Sequence, residues 1–313
     1  MRIAIFGATS QIGKDLVRSF VAHGTHELVL FARRPEAVKE WLASWGASDR
    51  CAVADFAEFS HDQRFDTLIN FVGVGNPAQA VAMGASIFDV TLKFDELALE
   101  YVRRHPDCRY LFLSSGAAYG AQFDEPVDEN TPSIIAINNL KPQDWYAVAK
   151  LHAECRHRSL PHLPIVDIRV FSYFSRTQDI SARFFISDTV RAIHAGKTLI
   201  TSPENIVRDY LGPDDFYRLI TLVLAAPATN DVIDCYTKAP VDKMALLAAM
   251  QQRFGLSYEV AAVPVGINAT GAKMNYFSKN RKAEIFGYYP SVASIDGVLN
   301  EAAMVVSADA QRQ

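Results

Sequence analysis

The segment Gly7-Ala8-Thr9-Ser10-Gln11-Ile12-Gly13 stands between a short apolar run, Arg2 to Phe6, and a first stretch of helical spacing, Ile12 to Ala22. A tight glycine turn in that place lets the backbone approach an anion closely and aims the unpaired N–H groups of a helix start at it. The pyrophosphate of a dinucleotide fits such a turn. Taken alone, Gly-x-x-Ser-x-x-Gly is a weak signal that an ordinary β–α turn also satisfies. Its position at the head of an alternating array strengthens it.

The array continues with apolar runs at Glu27 to Phe31, Ala52 to Ala54, Thr67 to Phe71, Tyr110 to Leu113 and Ile165 to Val170. Helical spacing separates them at Pro35 to Ser44, Ile87 to Arg104 and Trp145 to Ser159. Strands alternating with helices predict an α/β fold with a doubly wound parallel sheet. Strands that are apolar without clean alternation fit coverage on both faces. After Phe171 the rhythm breaks at Pro203, Pro213, Pro227, Pro240 and Pro264, and two helices are predicted, Pro213 to Ala226 and Val241 to Phe254. Residues 1–170 thus read as a dinucleotide-binding unit that the chain re-enters near 205–235. Residues 171–313 read mainly as a smaller C-terminal substrate-binding lobe over the sheet's carboxyl edge, where open α/β sheets bind ligands. Ser307 to Gln313 is expected to be a frayed tail.

Charge narrows the partners. A net charge of −4 over 313 residues lacks the excess of Lys and Arg that nucleic-acid binding needs. No apolar run approaches the roughly 20 residues of a membrane span, and Met1 to Phe6 leads into the glycine turn rather than a signal-peptide core, so a mature cytoplasmic N-terminus is expected. Cys51, Cys108, Cys155 and Cys235 form no Cys-x-x-Cys pair and read as buried small hydrophobes. The sequon Asn268-Ala269-Thr270 carries no weight without a secretory signal. His152, His157 and His162 recur every five residues, which cannot put them on one helix face, so they are expected at the surface and no metal is expected.

The second strand ends in Phe31-Ala32-Arg33-Arg34-Pro35, with two arginines where an acid would bind a ribose 2′-hydroxyl. Arginine there suits a 2′-phosphate, hence NADP(H), with NAD(H) possible; a solvated loop is the alternative. Asp55, just past the third strand, is placed to accept from an adenine amino group or to shape a turn. Tyr146-Ala147-Val148-Ala149-Lys150 sets a phenol and an ammonium on one helix face, where Lys⁺ lowers the phenol's pKa. Upstream, Leu111-Phe112-Leu113-Ser114-Ser115-Gly116 ends a buried strand in two hydroxyls, one of which could bind a substrate oxygen beside the phenol.

With these pieces the chain resembles an extended short-chain dehydrogenase/reductase of the NAD(P)-dependent epimerase/dehydratase family, of Rossmann type. Further matching segments are Asn70-Phe71-Val72-Gly73, Ser114 to Gly120, Glu125 to Pro132, Arg208-Asp209-Tyr210 and Asp214-Asp215. The resemblance makes Tyr146 the acid/base, Lys150 its tuner and ribose ligand, and Ser115, counted back from Tyr119-Gly120, the second hydroxyl. It puts Gly7, Thr9, Ser10, Gln11, Ile12, Gly13, Phe71, Val72 and Gly73 beside the cofactor, with Arg33, Arg34 and Asp55 at the adenosine end. It assigns Arg208 to a substrate diphosphate, a structural salt bridge to Asp209 or Asp215 being the alternative.

Four positions depart from the family's pattern. Ser10 replaces the middle glycine and brings a Cβ near the pyrophosphate. Gly116 and Ala117 replace the acid pair of sugar 4,6-dehydratases, which argues against water elimination. Ser172 replaces an Asn expected at the substrate, and Ala149 replaces the Ser before Lys150. Aromatics at Phe171, Tyr173, Phe174, Phe184 and Phe185 read as core before pocket. The implied function is NADPH-dependent reduction of a keto sugar, a nucleoside-diphosphate-linked 4-keto sugar. The alternatives are a nucleotide-sugar epimerase and a non-catalytic NADP-binding redox sensor. A homodimer through the helices Ile87 to Arg104 and Trp145 to Ser159 is also implied.

Overall fold

In β1 (Arg2–Phe6), Ile3, Ala4, Ile5 and Phe6 are all fully buried, so the strand is covered on both faces. Burial is nearly as complete through β2 (Glu27–Phe31), β4 (Thr67–Asn70), β5 (Arg109–Ser115) and β6 (Ile165–Val170), whereas β3 (Ala52–Ala54), at the edge, has Ala52 exposed and Val53 and Ala54 half-buried. The computed structural model describes residues 1–24, 26–73, 80, 82–262 and 273–310. The sequon at Asn268, Pro264 and residues 311–313 lie outside them. Later strands are β7 (Ser172–Tyr173), β8 (Leu199–Thr201), β9 (Val207–Arg208), β10 (Tyr210–Leu211), β11 (Asp231–Asp234), β12 (Val241–Asp242), β13 (Tyr258–Val260) and β14 (Asn275–Tyr276). The main sheet has seven parallel strands in the order β11-β6-β5-β4-β1-β2-β3.

Helices α1 (Gln11–His23) and α2 (Pro35–Ala43) lie on one face with Leu16, Val17, Phe20, Val38 and Leu42 buried. Helices α3 (Ser86–Arg104) and α4 (Trp145–Arg158) cover the other, where Ala98, Leu99, Tyr101, Val102 and Ala153 meet Phe6, Tyr110 and Phe112. Helix α5 (Phe185–Ala195) belongs to the smaller lobe, α6 (Pro213–Ala225) returns to pack on α1, and α7 (Lys243–Phe254) and α8 (Ser294–Ala310) complete the lobe. The lobe has its own core of Phe174, Ile186, Val190, Leu246, Leu247, Met250 and Val298.

Several boundaries move for local reasons. Val241–Asp242 is a strand, and the helix starts at Lys243 because the Asp242 carboxylate caps it, accepting from Ala245 N at 2.9 Å. Strand β4 stops at Asn70, whose Oδ1 accepts from Val72 N at 2.9 Å and turns the chain at Phe71. Helix α8 runs through Ser307 to Ala310, so the tail is shorter than expected. Helices α5 and α8 were not predicted. Cys108 and Cys235 are buried as expected, but Cys51 is half-buried and Cys155 sits exposed on α4.

His157 corrects the surface reading of the three histidines. His152 and His162 are exposed, whereas His157 is fully buried. Its Nδ1 is 2.6 Å from Asp167 and its Nε2 2.7 Å from Asp95. Burial opposes charging of this imidazole, but Asp167 and Asp95 outweigh it and hold the pKa up at about 9. A pKa raised above its unfolded value near 6.5 adds stability that is complete below that value and is lost as pH rises through about 9. Urea midpoints of the wild type and His157→Gln should therefore differ most below pH 6.5 and converge by pH 9. A gap that widens with rising pH would contradict the buried ion pairing.

Candidate active site

The strand order reverses at β1, which pairs with β2 on one side and β4 on the other. The crevice beyond their carboxyl ends is where open α/β sheets take ligands. Gly7 follows β1 there with φ +77°, and a Cβ on it would lie 2.9 Å from Val72 N, so the turn and the Phe71–Val72 backbone touch only because residue 7 is glycine. Ser10 takes an ordinary extended conformation, φ −67°, and its Oγ caps α1 by accepting from Gly13 N at 3.1 Å. The departure at position 10 is thereby used as an N-cap. It also explains Gly13, whose added Cβ would meet that Oγ at 2.7 Å. Gln11 donates to Ser175 Oγ at 3.0 Å, Thr9 is exposed and Ile12 half-buried. A helix start and a cradle that a Cβ would fill fit a dinucleotide pyrophosphate.

Farther along the same edge, β5 delivers Ser114 and Ser115 to opposite faces, as adjacent strand residues must be. Ser114 Oγ donates to the buried Glu154 carboxylate. Ser115 Oγ accepts from Ala117 N at 3.1 Å and lies beside the Tyr146 phenol, which the first turn of α4 supplies. One turn on, Lys150 Nζ donates to Leu113 O at 2.6 Å, lies 4.3 Å from the Phe112 ring centroid and borders Gly73. The structure thus brings Ser115, Tyr146, Lys150 and Gly73 together.

Its electrostatics differ from the expectation that Lys150 tunes the phenol downward. Burial raises the Tyr146 pKa, with only Ser115 opposing it, and burial also brings Lys150 down to about 8 against the pull of Glu154, Asp95 and Asp167. Lys150 is anchored on a carbonyl with Nζ 5.9 Å from the Tyr146 ring centroid. In this arrangement the phenol holds its proton and suits donation. Because Ser115 lies beside the phenol, Ser115→Ala should lower kcat by about 10²-fold, and it should also lower the urea midpoint, since Ala117 N loses its acceptor. Ser114→Ala should leave kcat within a few-fold but lower the urea midpoint, since Glu154 loses a buried donor. Equal kcat losses in the two variants would contradict this division.

Behind the serines lies a buried charge cluster. Arg169 of β6 meets Glu154 of α4 through Nη2, which donates to Oε2 at 2.6 Å, and Nε, which is shared between Oε1 at 3.0 Å and Oε2 at 3.1 Å. Its Nη1 is 3.5 Å from Asp234 of β11, which also accepts from Tyr119 OH at 2.8 Å and Ser278 Oγ at 2.6 Å. The helix spacing of Glu154, His157 and Arg158 thus meets the strand spacing of Asp167 and Arg169.

The remaining expected residues are spread around this centre. Arg33 and Arg34 are exposed at the end of β2, the latter next to the start of α2. Asp55 is engaged in a capping box, accepting from Ala57 N at 2.8 Å, which supports its turn role. Ser172 is half-buried in β7. Arg208 is 5% exposed and donates to Val207 O at 2.8 Å. Its alternative salt-bridge partners are engaged elsewhere: Asp209 accepts from Thr237 and Ser294, and Asp215 accepts from Ser291 N. Of the aromatics, Phe174 is lobe core, Tyr173 donates to Asp15 at 2.8 Å, and Phe171 joins a cluster with Tyr119, Phe123 and Tyr276 beside Ser115.

A family model described as the NAD dependent epimerase/dehydratase family matches residues 3–236. The chain belongs to that family. It is a nicotinamide-dependent enzyme of the extended short-chain dehydrogenase/reductase type. No curated protein sequence matches it. Among solved structures, it is similar to a Bacillus cereus UDP-glucuronic acid 4-epimerase in complex with UDP-glucuronic acid and NAD, with TM-score 0.78, 17% identity and coverage of 98% of this chain and 100% of that one. A Bacillus anthracis dTDP-glucose 4,6-dehydratase in complex with NAD gives TM-score 0.79 at 16% identity, covering 99% and 98% of the two chains. A Methanobrevibacter ruminantium UDP-N-acetylglucosamine 4-epimerase in complex with UDP-N-acetylmuramic acid gives 0.81 at 15%, covering 100% and 99%. At such identities the likeness is one of fold. Among the described residues no helix is long and apolar enough to cross a membrane.

Two side chains of this site have no counterpart in the motif reading. Tyr276 of β14 lies with its OH 3.2 Å from Ser115 Oγ, and Lys273 lies against the Tyr276 and Phe123 rings. Tyr276 enters from a two-residue strand 161 positions beyond Ser115, Lys273 sits just before that strand, and Lys273-Met274-Asn275-Tyr276 matches no motif.

Proposed function

We propose that the chain carries out hydride exchange at a carbon of a nucleotide-linked sugar, with Tyr146 moving the proton and Ser115 orienting the reacting oxygen. The observation that carries this reading is the convergence of the Tyr146 phenol and the Ala117-bonded Ser115 hydroxyl at the end of β5, one helical turn from Lys150. Bound nicotinamide would accept or supply the hydride. The chain's own part is position and proton: Tyr146 holds a proton at its phenol oxygen, Ser115 fixes the substrate oxygen beside it, and Lys150, bordering Gly73, holds the ribose.

Epimerisation is the reading favoured by the family and by the epimerase neighbours, and Gly116 and Ala117 leave no acid pair for dehydration. Net reduction with NADPH is the second reading, favoured by Arg33 and Arg34 in place of an acid after β2. Incubating the purified protein with UDP-glucose, UDP-glucuronic acid and UDP-N-acetylglucosamine, without added cofactor, separates the two by NMR of the products. New epimers support the first reading. Product formed only with stoichiometric NADPH and a 4-keto sugar supports the second. No change in any sugar under either condition overturns both. The proposed assembly is a homodimer through α3 and α4, for which light scattering should give twice the 34.7 kDa chain mass; a monomer at micromolar concentration contradicts it.

A further inference from the structure

Two phenols, not one, meet at Ser115. Tyr146 comes from α4 of the dinucleotide-binding half, and Tyr276 comes from β14, which pairs in register with β9 so that Tyr276 stands opposite Arg208. The Tyr276 ring is held edge-on to Phe123 at 4.7 Å and tilted on Phe171 at 5.3 Å between centroids, and the residue is 4% exposed. Its position is therefore set by packing, and its hydroxyl is left to serve the serine. At 3.2 Å the contact with Ser115 Oγ is long for a bond between hydroxyls, which prefer about 2.7–2.8 Å. It is a bond that a better-placed substrate oxygen can replace. Charge lies against the same ring: Lys273 Nζ is 4.5 Å and Arg208 Cζ 5.7 Å from its centroid. Burial and the neighbouring Arg208 bring Lys273 down to about 8, against the pull of Asp144, as expected where like charges share a desolvated place.

We propose that Tyr276 is a specificity-determining residue that binds the oxygen on the carbon next to the reacting one, so that the substrate is an α-hydroxy ketone or its vicinal diol. Both phenols border the Ser115 hydroxyl, so an oxygen on the carbon next to the reacting one comes beside Tyr276 when the reacting oxygen lies between Tyr146 and Ser115. Tyr146 with Ser115 takes the reacting oxygen and Tyr276 takes its neighbour. The cations of Arg208 and Lys273 beside the Tyr276 ring then serve the anionic part of the substrate. The inference rests on the hydride-exchange reading and adds the oxygen that the site selects.

A double-mutant cycle tests it. Tyr276→Phe keeps the ring, its packing and its contacts with Lys273 and Arg208, and removes only the hydroxyl. The wild type and this variant are compared on UDP-glucose and UDP-3-deoxyglucose, and in NADPH-dependent reduction of acetoin and butanone, which differ only in the α-hydroxyl. The wild type should prefer the hydroxylated member of a pair by about tenfold in kcat/KM, and Tyr276→Phe should lose that preference while treating the deoxygenated member as the wild type does. A loss shared equally by both members marks a merely structural tyrosine and overturns the proposal, as does an unchanged preference. Turnover of acetoin and butanone but of no UDP-sugar overturns the nucleotide-sugar reading alone, and the small-ketone pair then decides the role of Tyr276. A protein that turns over no member of either pair overturns both.

Discussion

Tyr146→Phe is expected to lower kcat by about 10²–10⁴-fold while leaving the fold and dinucleotide binding intact. The phenylalanine ring fills the same volume, and the Ser115 hydroxyl keeps its bond from Ala117 N. What is lost is the only group within reach of Ser115 from α4 that can pass a proton to a substrate oxygen. Because burial raises the Tyr146 pKa, the phenol is protonated at neutral pH, which favours the direction in which a carbonyl is reduced. The opposite direction, which removes a proton from a sugar hydroxyl, should accelerate as pH rises. Steady-state kcat in each direction, with fluorescence titration of NADH and NADPH as the binding control, checks this. A variant that binds dinucleotide and retains more than a tenth of the wild-type kcat would remove Tyr146 from the chemistry.

The second large effect is on stability. Arg169→Leu should cost about 3–5 kcal/mol, because it leaves Glu154 and Asp234, both buried, without their shared cation. Burial already pushes both carboxyl groups up, and Arg169 is the group that pulls them back. Without it they take up protons or open the sheet edge between β6 and β11. The urea midpoint should fall accordingly at pH 7, and the loss should shrink at lower pH, where protonation removes the stranded charge. A midpoint unchanged from wild type would mean that this cluster contributes nothing net. The cluster also matters to the site, since Glu154 takes the Ser114 hydroxyl and so helps set the end of β5 from which Ser115 projects.

The parts of the site that the sequence makes legible are local ones. Gly7 to Gly13 is one turn, and Tyr146 to Lys150 is one helical repeat. Ser115 needs only the end of an apolar run. Each is a short spacing with a physical reason of its own, so periodicity and punctuation suffice to find it. The parts that stay hidden depend on distant pairings. His157 is buried because Asp167 on β6 and Asp95 on α3 reach it, and its own neighbours Arg156 and Arg158 make the segment look like surface. Strand β11 is four residues, Asp231-Val232-Ile233-Asp234, and its acidic ends conceal it; Asp234 is buried where the distant Arg169, Tyr119 and Ser278 meet it. Tyr276 is one of 12 tyrosines with nothing local to distinguish it until β14 pairs with β9. The tuning of Tyr146 is a further case. Helical spacing places Lys150 on the same face, but only the folded chain gives its ammonium to Leu113 O.

The measurement that bears most directly on hydride exchange at a sugar carbon is the fate of a labelled hydride. The wild type is supplied with NADH or NADPH carrying deuterium at the nicotinamide 4-position and with a UDP-linked 4-keto sugar, and the product is read by deuterium NMR. The expected result is deuterium at carbon 4 of the sugar with the wild type and almost none over the same time with Tyr146→Phe. Dinucleotide that binds but leaves no deuterium on any sugar carbon would contradict it.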